Sequence, residues 1–217
     1  MEQQKKTLLF DFDGVMVDSF QLSYESKKKS EPNIVDIETY RRYFDGNIFE
    51  VAHIKESLAD QEDNKPSVTD PFFIEYIPAL MAKEPIPSMV DALHLLSKDY
   101  RLVIISSTIS SPIEEYLRMH DIYDLFDKVY GSDVHTSKII KIKMAFEDYN
   151  LSVDSCVFIT DTLGDMREAA KAGVRSIGVT WGFHKTDTLK RGNPIALVDS
   201  ADELVAVIRQ EILNGRL

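Results

Sequence analysis

Five short, continuous apolar runs constrain the fold of this chain more than any other feature of its sequence. The runs are Leu8-Leu9-Phe10, Leu102-Val103-Ile104-Ile105, Val157-Phe158-Ile159, Ile177-Gly178-Val179 and Ala196-Leu197-Val198. Because their apolar residues are continuous rather than alternating, the runs indicate strands that are buried on both faces. Helical patterns separate most of them, and this alternation is typical of a parallel sheet with right-handed crossovers. We therefore predict an α/β fold built on a doubly wound, Rossmann-like parallel sheet.

A long stretch between the first two predicted strands lacks this pattern. From about Val17 to Pro87 no run indicates a buried strand, and apolar residues recur at helical spacing instead. Two groups show this spacing: Ile48, Val51, Ala52 and Leu58, and Phe72, Phe73, Tyr76, Ile77 and Leu80. The sequence thus predicts a small helical domain at residues 17–87, inserted into an α/β core formed by residues 1–16 and 88–217.

The sequence also marks the ends of two helices. Gly173 follows a segment rich in helix formers and is placed to end that helix as a C-terminal cap. Ser200 and Glu203 have the spacing of a capping box, which predicts a last helix running to about Ile212.

Acidic and hydroxyl side chains follow three of the predicted strands at the point where each strand ends. These residues are Asp11 and Asp13, Ser106 and Ser107, and Thr160, Asp161 and Asp165. Each residue alone fits a turn or a helix start, where Asp and Ser are common. In an open parallel sheet, however, ligands bind outside the carboxyl ends of the strands, where all of these residues meet. Four carboxylates there would repel one another unless a cation lay among them, and oxygen ligands favour a hard cation, Mg²⁺.

Such a site has the parts needed to transfer a phosphoryl group. A carboxylate near Mg²⁺ can attack phosphorus and form an aspartyl-phosphate, and a second carboxylate can protonate the leaving oxygen and then deprotonate water. A hydroxyl group and an ammonium group would hold the phosphoryl oxygens. Lys138, Lys141 and Lys143 could each supply the ammonium group. We favour Lys138, which lies at a predicted helix start, and we expect Lys141 and Lys143 on a solvated helix face. Lys141 is the alternative to Lys138.

The charge and the cysteine content restrict the partners and the setting of the chain. It has 36 acidic and 25 basic residues, a net charge of −11, whereas a nucleic-acid surface needs clustered Lys and Arg. Its single cysteine, Cys156, excludes an internal disulfide and fits a reducing compartment. The first apolar run is too short for a secretion signal or a membrane span. We therefore expect a cytoplasmic protein with a small-molecule partner and with neither a nucleic acid nor a membrane as partner.

The motifs and their order resemble the haloacid dehalogenase superfamily, in particular its phosphoglycolate-phosphatase-like phosphatases with a small helical (C1-type) cap. The resemblance covers nearly the whole chain, and the helical insertion lies where this family places its cap. Asp11-Phe12-Asp13-Gly14-Val15 is similar to the family's first motif, Val103-Ile104-Ile105-Ser106 to its second, and Thr160-Asp161-Thr162-Leu163-Gly164-Asp165 to its fourth.

The resemblance implies a Mg²⁺-dependent phosphomonoesterase and a role for each acid. Asp11 would be the nucleophile, and Asp13 would be the general acid and base. Asp11 and the backbone carbonyl group of Asp13 would also bind the metal. Asp161 would bind it directly, and Asp165 would bind it either directly or through water.

The resemblance also implies how the phosphoryl group is held. Ser106, with Ser107 beside it, would bind the phosphoryl group, and Lys138 would stabilise it. The family commonly has a proline after this lysine, whereas Ile139 follows it here, so Lys141 stays the alternative.

Several related activities are left open by the sequence. A phosphomutase would return the phosphoryl group to the substrate, and a binding or sensing protein would hold phosphate without turnover. A phosphonate-cleaving enzyme would use a cap lysine; Lys27, Lys28 and Lys29 are available, although such a run is more typical of a solvated helix face. Asp13 disfavours a dehalogenase, since a halide leaving group needs no proton. The substrate is open among phosphoglycolate, sugar phosphates and nucleoside monophosphates, or a broad set.

Overall fold

The computed structural model describes residues 5–31, 36–49 and 65–213. The strands are β1 (Thr7–Phe10), β2 (Arg101–Ile105), β3 (Lys128–Tyr130), β4 (Cys156–Thr160), β5 (Arg175–Val179) and β6 (Ala196–Val198). The helices are α1 (Phe20–Ser30), α2 (Ile37–Arg42), α3 (Pro71–Met81), α4 (Pro87–Leu96), α5 (Ser110–Met119), α6 (Lys138–Tyr149), α7 (Leu163–Lys171), α8 (Thr186–Lys190) and α9 (Ala201–Leu213). Within these described ranges, none of the helices is both long enough and apolar enough to cross a membrane.

The six strands form one parallel sheet in the order β3-β2-β1-β4-β5-β6. Leu8 in β1 lies between Leu102 in β2 and Val157 in β4. The chain therefore builds the sheet outward from β1 in one direction and then from β4 in the other. In open parallel sheets, a ligand crevice forms at such a switch point, at the carboxyl ends of the strands. The predicted doubly wound α/β fold is confirmed, and its crevice lies between the ends of β1 and β4.

Helices cover both faces of the sheet. Phe10 and Ile104 belong to a buried cluster that includes residues of α4, α5 and α9. Leu9 and Val103, which point to the opposite face, belong to a second cluster with residues of α6 and α7. Because adjacent residues of a strand point to opposite faces, burial on both faces requires continuous apolar runs.

Strand β3 is the strand that the apolar runs do not predict. It has three residues, lies at the edge of the sheet beside β2, and leaves Lys128 exposed. A single apolar residue, Val129, stands between Lys128 and Tyr130, so no run marks the strand. The carbonyl group of Tyr130 nevertheless accepts a hydrogen bond of 3.0 Å from the backbone N–H of Ser106, and the strand thus supports the end of β2.

Both predicted helix ends are found. Helix α7 ends at Lys171, and Gly173 follows it with φ of 82°, a left-handed conformation that glycine adopts without strain. At the start of α9, the hydroxyl group of Ser200 accepts from the backbone N–H of Glu203 at 3.3 Å. The Glu203 carboxylate accepts from the backbone N–H of Asp199 at 2.9 Å. In a regular capping box the donor would be the next residue, Ser200.

The described chain between β1 and α4 is helical, as predicted for the insertion. Helices α1 and α3 pack against each other. The two ends of this region lie side by side, and the backbone N–H of Ile86 donates to the carbonyl group of Met16 at 2.8 Å. The part of the predicted pattern at Val51, Ala52 and Leu58 lies outside the described residues. The boundaries of 1–16, 17–87 and 88–217 stay a prediction.

Candidate active site

Three predicted metal ligands meet at the switch point of the sheet. Asp11 follows β1, Asp161 follows β4, and Asp165 lies in the first turn of α7. One carboxylate oxygen from each lies within 4.8 Å of the others, and all three residues are buried. The structure therefore brings together acids that are separated in the sequence by up to 154 positions, the difference between 165 and 11.

Lys138 connects two of these acids. It is the first residue of α6, it is 1% exposed, and its Nζ lies 2.9 Å from Asp11 Oδ2 and 2.7 Å from Asp165 Oδ2. Burial opposes the charge of Lys138, but the negative charges of Asp11 and Asp165 outweigh it and raise the pKa of the lysine. Lys138 is thus a permanently charged ammonium group held between the two carboxylates.

The three carboxylates carry more negative charge than one lysine balances. Burial raises the pKa of Asp11, although the positive charge of Lys138 acts to lower it. Burial likewise raises the pKa of Asp161. Burial acts in the same direction on Asp165, but the charge of Lys138 together with the hydrogen bonds that Asp165 receives outweighs it, and the pKa of Asp165 is lowered. A bound dication would relieve this repulsion, since an opposite charge favours the ionised carboxylates.

The surroundings of Asp161 fit a hard cation. Its Oδ2 accepts from the backbone N–H of Phe183 at 2.6 Å, whereas its Oδ1 is buried with no hydrogen-bond partner among the residues that the structure describes. Gly14 and Gly182 leave room for this carboxylate, since an added Cβ would lie 1.8 and 2.3 Å from Asp161 Oδ2. Buried carboxylate oxygens without partners are rare, and oxygen ligands of this kind suit Mg²⁺.

Asp13 has a different set of partners. Its Oδ1 accepts from the hydroxyl group of Ser19 at 2.8 Å and from the hydroxyl group of Tyr76, and its Oδ2 accepts from Thr108 at 2.7 Å. Burial, together with the charge and hydrogen bond of Asp13, raises the pKa of Tyr76, so this hydroxyl group keeps its proton and donates. The side chain of Asp13 is thus placed beside the three clustered acids rather than among them.

The predicted phosphate-binding serines have unequal positions. Ser106 is fully buried, and its Oγ accepts from the backbone N–H of Thr108 at 3.0 Å. Ser107 is partly exposed and, with Thr108, lines the cavity above the acids. The structure therefore places Ser106 in the turn after β2 and places Ser107 and Thr108 at the surface of the cavity.

Lys141 is not on a solvated face, so that expectation is wrong. It is fully buried, and its Nζ donates to the carbonyl group of Ser106. Lys138, Lys141, Ile142 and Ala145 follow the spacing of one helix face, and this face of α6 is buried. Lys143 lies on the other side and is exposed, as expected. Lys138 contacts the acids, and Lys141 contacts the turn after β2.

The burial of Lys141 predicts a pH-dependent stability. Burial, followed by the charge of Lys138, lowers the pKa of Lys141 to about 7 in the folded protein, whereas an unfolded lysine titrates near about 10.4. Between these values the unfolded state binds more protons, so stability rises with pH. In urea denaturation with EDTA, we expect wild type to gain on the order of 2 kcal/mol relative to Lys141→Met between pH 6.5 and 9. Lys143→Met, the exposed control, should parallel wild type; a parallel Lys141→Met curve would contradict the prediction.

A cavity of about 580 Å³ lies above the site. Asp11, Asp13 and Lys138 line it, and so do aromatic residues of the insertion, including Phe44 and Phe72. Lys27 also lines the cavity and pairs with Glu31, whereas Lys28 and Lys29 are exposed. The expectation of a solvated lysine run is therefore confirmed for Lys28 and Lys29 and is wrong for Lys27.

The segment after α2 anchors the insertion to the core beside the site. Asn47 donates to the carboxylate of Glu168 at 3.2 Å, and that carboxylate also accepts from the backbone N–H of Lys138 at 2.9 Å. Arg167 donates to the carbonyl group of Asp45 at 2.6 Å. Gly164 allows this approach, since an added Cβ would lie 2.2 Å from the carbonyl oxygen of Gly46. Glu168 therefore binds both Asn47 of the insertion and the first residue of α6, Lys138.

Thr108, Glu168 and Tyr76 are among the residues of this arrangement that were not predicted from the sequence. Thr108 follows the end of β2, as Ser106 and Ser107 do, so its place after a strand is a signal in the sequence. Glu168 follows Asp165 by three positions, a helical spacing that places both on one face. Tyr76 gives no such signal, because the direction of its hydroxyl group depends on how α3 packs.

The parallel sheet, the insertion after β1 and the buried Asp–Lys cluster define the class of protein: an α/β protein with an aspartate-rich site at the carboxyl ends of its strands. The sequence of residues 8–179 matches the family model of the haloacid dehalogenase-like hydrolases, and the chain belongs to this family. The resemblance noted in the sequence is therefore confirmed, and so is the expected class of enzyme, a hydrolase.

Individual relatives agree with this family. A probable phosphatase, IndB, from Dickeya dadantii is 31% identical over 123 residues, 55% of this chain and 54% of that protein, so the match spans about half of its length. A phosphoglycolate phosphatase from Colwellia psychrerythraea is 25% identical over 96% of this chain and 99% of its own. The crystal structure of a predicted phosphatase from Clostridium acetobutylicum has a TM-score of 0.77 at 24% identity, over 96% of this chain and all of that one (100%), which shows a shared fold.

Proposed function

We propose that the protein is a Mg²⁺-dependent phosphomonoesterase that hydrolyses a small organic phosphate through an aspartyl-phosphate on Asp11. The contact of Lys138 with Asp11 and Asp165, inside a cluster of three buried carboxylates, carries this proposal. A carboxylate held beside an ammonium group at the floor of a cavity is placed to attack an anionic substrate. The phosphatase names of the relatives support the same class.

The residues that would hold Mg²⁺ are Asp11, Asp161, Asp165 and the backbone carbonyl group of Asp13. The unpartnered oxygen of Asp161 and the close approach of the three carboxylates support this assignment. Bound there, the cation would lower the repulsion between the acids and the substrate and would polarise the phosphoryl oxygens.

The side chains account for the two chemical steps of the proposal. In the first, a carboxylate oxygen of Asp11 forms a bond to phosphorus, the ester P–O bond breaks, and Asp13 gives its proton to the leaving oxygen. In the second, Asp13 takes a proton from a water molecule as that water attacks phosphorus, and the bond from phosphorus to Asp11 breaks. Lys138, with Ser107 and Ser106 at the end of β2, would hold the phosphoryl oxygens throughout.

We propose residues 17–87 as a cap that covers the site and selects the substrate. The aromatic walls of the cavity leave space for an organic leaving group above Asp11, and the contacts of Asn47 and Asp45 keep the cap over the core. A covered site excludes bulk water, which strengthens the electrostatic interactions within it.

We also propose a cytoplasmic setting, with a small phosphate ester as the partner and no nucleic acid or membrane. Cys156 supports this setting, since it is a free thiol buried in β4, and burial raises its pKa to about 12. A protonated, buried thiol is inert and needs no oxidising compartment.

Phosphate release from a panel of esters tests the proposed function. Purified protein with Mg²⁺ is expected to release phosphate from p-nitrophenyl phosphate and from at least one of phosphoglycolate, a sugar phosphate and a nucleoside monophosphate, and EDTA should stop it. An isomerised substrate without free phosphate would instead identify a phosphomutase. Binding of Mg²⁺ and phosphate without turnover of any ester would identify a binding protein and overturn the proposal.

A further inference from the structure

We propose that Tyr76, on the helical insertion, is a positioning residue for Asp13 and thereby determines how well the enzyme expels leaving groups that need a proton. This inference rests on the proposed function, in which Asp13 donates that proton. The hydrogen bond from the hydroxyl group of Tyr76 to Asp13 Oδ1 carries it, since this bond joins α3 to the loop after β1.

Hydroxyl groups from both parts of the molecule hold the carboxyl group of Asp13. Ser19 and Tyr76 donate to Oδ1, and Thr108 donates to Oδ2. Together these bonds set the plane and the direction of the carboxyl group, which a general acid must direct at the leaving oxygen. Ser19 and Tyr76 lie within residues 17–87, whereas Thr108 follows β2. The direction of Asp13 therefore depends on the insertion as well as on the sheet.

The partners of Asp13 differ in kind from those of the neighbouring acids. Lys138 contacts Asp11 and Asp165, but no basic side chain in the described part of the chain forms an ion pair with Asp13. A hydroxyl group can donate to a carboxylate or accept from a carboxylic acid, whereas an ammonium group only donates. Three hydroxyl groups therefore suit a carboxyl group that gives up a proton in one step and takes one in the next.

Tyr76 is held rigidly enough to direct its partner. It is 1% exposed, and its ring stacks on that of Phe72 with centroids 5.2 Å apart and an interplanar angle of 14°. A buried tyrosine can also serve packing alone, with its hydroxyl group on any available acceptor. Replacement by phenylalanine keeps the ring and its packing and removes the hydroxyl group with its bond to Asp13, so this variant separates the two roles.

The dependence of kcat/KM on the leaving group tests this role. Glycerol 2-phosphate expels an alkoxide that needs a proton, whereas p-nitrophenyl phosphate expels a stable phenolate that does not. For Tyr76→Phe with Mg²⁺, we expect kcat/KM to fall about 10- to 100-fold with glycerol 2-phosphate and less than about threefold with p-nitrophenyl phosphate. Ser19→Ala, which removes another donor to the same oxygen, is expected to show the same difference.

Tyr130→Phe is the matched control, because Tyr130 donates to the carboxylate of Asp148 at 2.6 Å, outside the site. It should leave kcat/KM for both esters within about twofold of wild type. An equal fall for both esters in Tyr76→Phe, or no fall, overturns the inference. If wild type releases phosphate from no ester of the panel, the proposed function fails and this inference with it; if wild type is active, only the role of Tyr76 is at stake.

Discussion

Replacement of Asp11 by Asn is expected to lower phosphate release by at least about 10³-fold, since a neutral amide cannot attack phosphorus. The substitution preserves the shape of the side chain, and the amide oxygen can still accept the 2.8 Å hydrogen bond from the backbone N–H of Phe12. The loss should therefore reflect chemistry rather than folding. Steady-state phosphate release measures it, and mass spectrometry of acid-quenched enzyme should detect a phosphorylated protein in wild type only.

Asp18→Asn is the matched control for this substitution. Asp18 lies seven positions later, is exposed, and in the part of the chain that the structure describes its ion-pair partner is Lys83, 3.8 Å away. Its replacement is expected to change phosphate release by less than about twofold. An Asp11→Asn enzyme that retained activity within tenfold of wild type would rule out Asp11 as the nucleophile and favour direct attack by water.

Replacement of Lys138 by Met is expected to have the second largest effect, on both activity and stability. The substitution would leave Asp11 and Asp165 buried without a cation, which destabilises a protein by about 3–5 kcal/mol. Phosphate release should fall about 10²- to 10³-fold, because the phosphoryl oxygens lose a charged donor. Denaturant unfolding in EDTA measures the first effect, and phosphate release with Mg²⁺ measures the second.

Added Mg²⁺ makes this experiment more specific. If the cation binds among the same carboxylates, it should offset part of the lost charge, so the stability deficit of Lys138→Met should be smaller with Mg²⁺ than with EDTA. Lys143→Met, which removes an exposed lysine from the same helix, should stay within about 0.5 kcal/mol of wild type in both conditions. An identical deficit with Mg²⁺ and with EDTA would contradict a cation site next to Lys138.

The sheet could be predicted largely from the sequence because burial on both faces leaves a direct trace there. Phe10 and Leu9 are adjacent yet belong to different buried clusters, so both must be apolar, and the run becomes visible. Edge strand β3 leaves no such trace, since Lys128 faces solvent and Tyr130 has a polar partner of its own. Asp11 and Asp161 could be predicted together because each follows a buried strand, and β1 and β4 are neighbours in the sheet.

The remaining contacts of the site depend on directions that a linear pattern does not contain. Lys141 and Lys143 are two positions apart, yet one is buried and the other is exposed, because α6 turns only one of them toward the sheet. Tyr76 belongs to an aromatic helix face that packing alone would explain. Its contact with Asp13 arises from how α3 is placed over the core, which is a tertiary property. The strand ends thus predict the acids, and the helix packing determines their partners.

The pairing of β1 with β4 also determines when the site can form during synthesis. Thr7 lies beside Cys156, so the ribosome must add nearly 150 residues before β1 meets this neighbour, a delay of roughly 10–30 s at ordinary elongation rates. Until then one edge of this fully buried strand is unpaired, and Asp11 does not have Asp165 beside it. A nascent chain shorter than about 165 residues therefore lacks one of the three clustered acids, and that unpaired edge is a surface for chaperones or for aggregation.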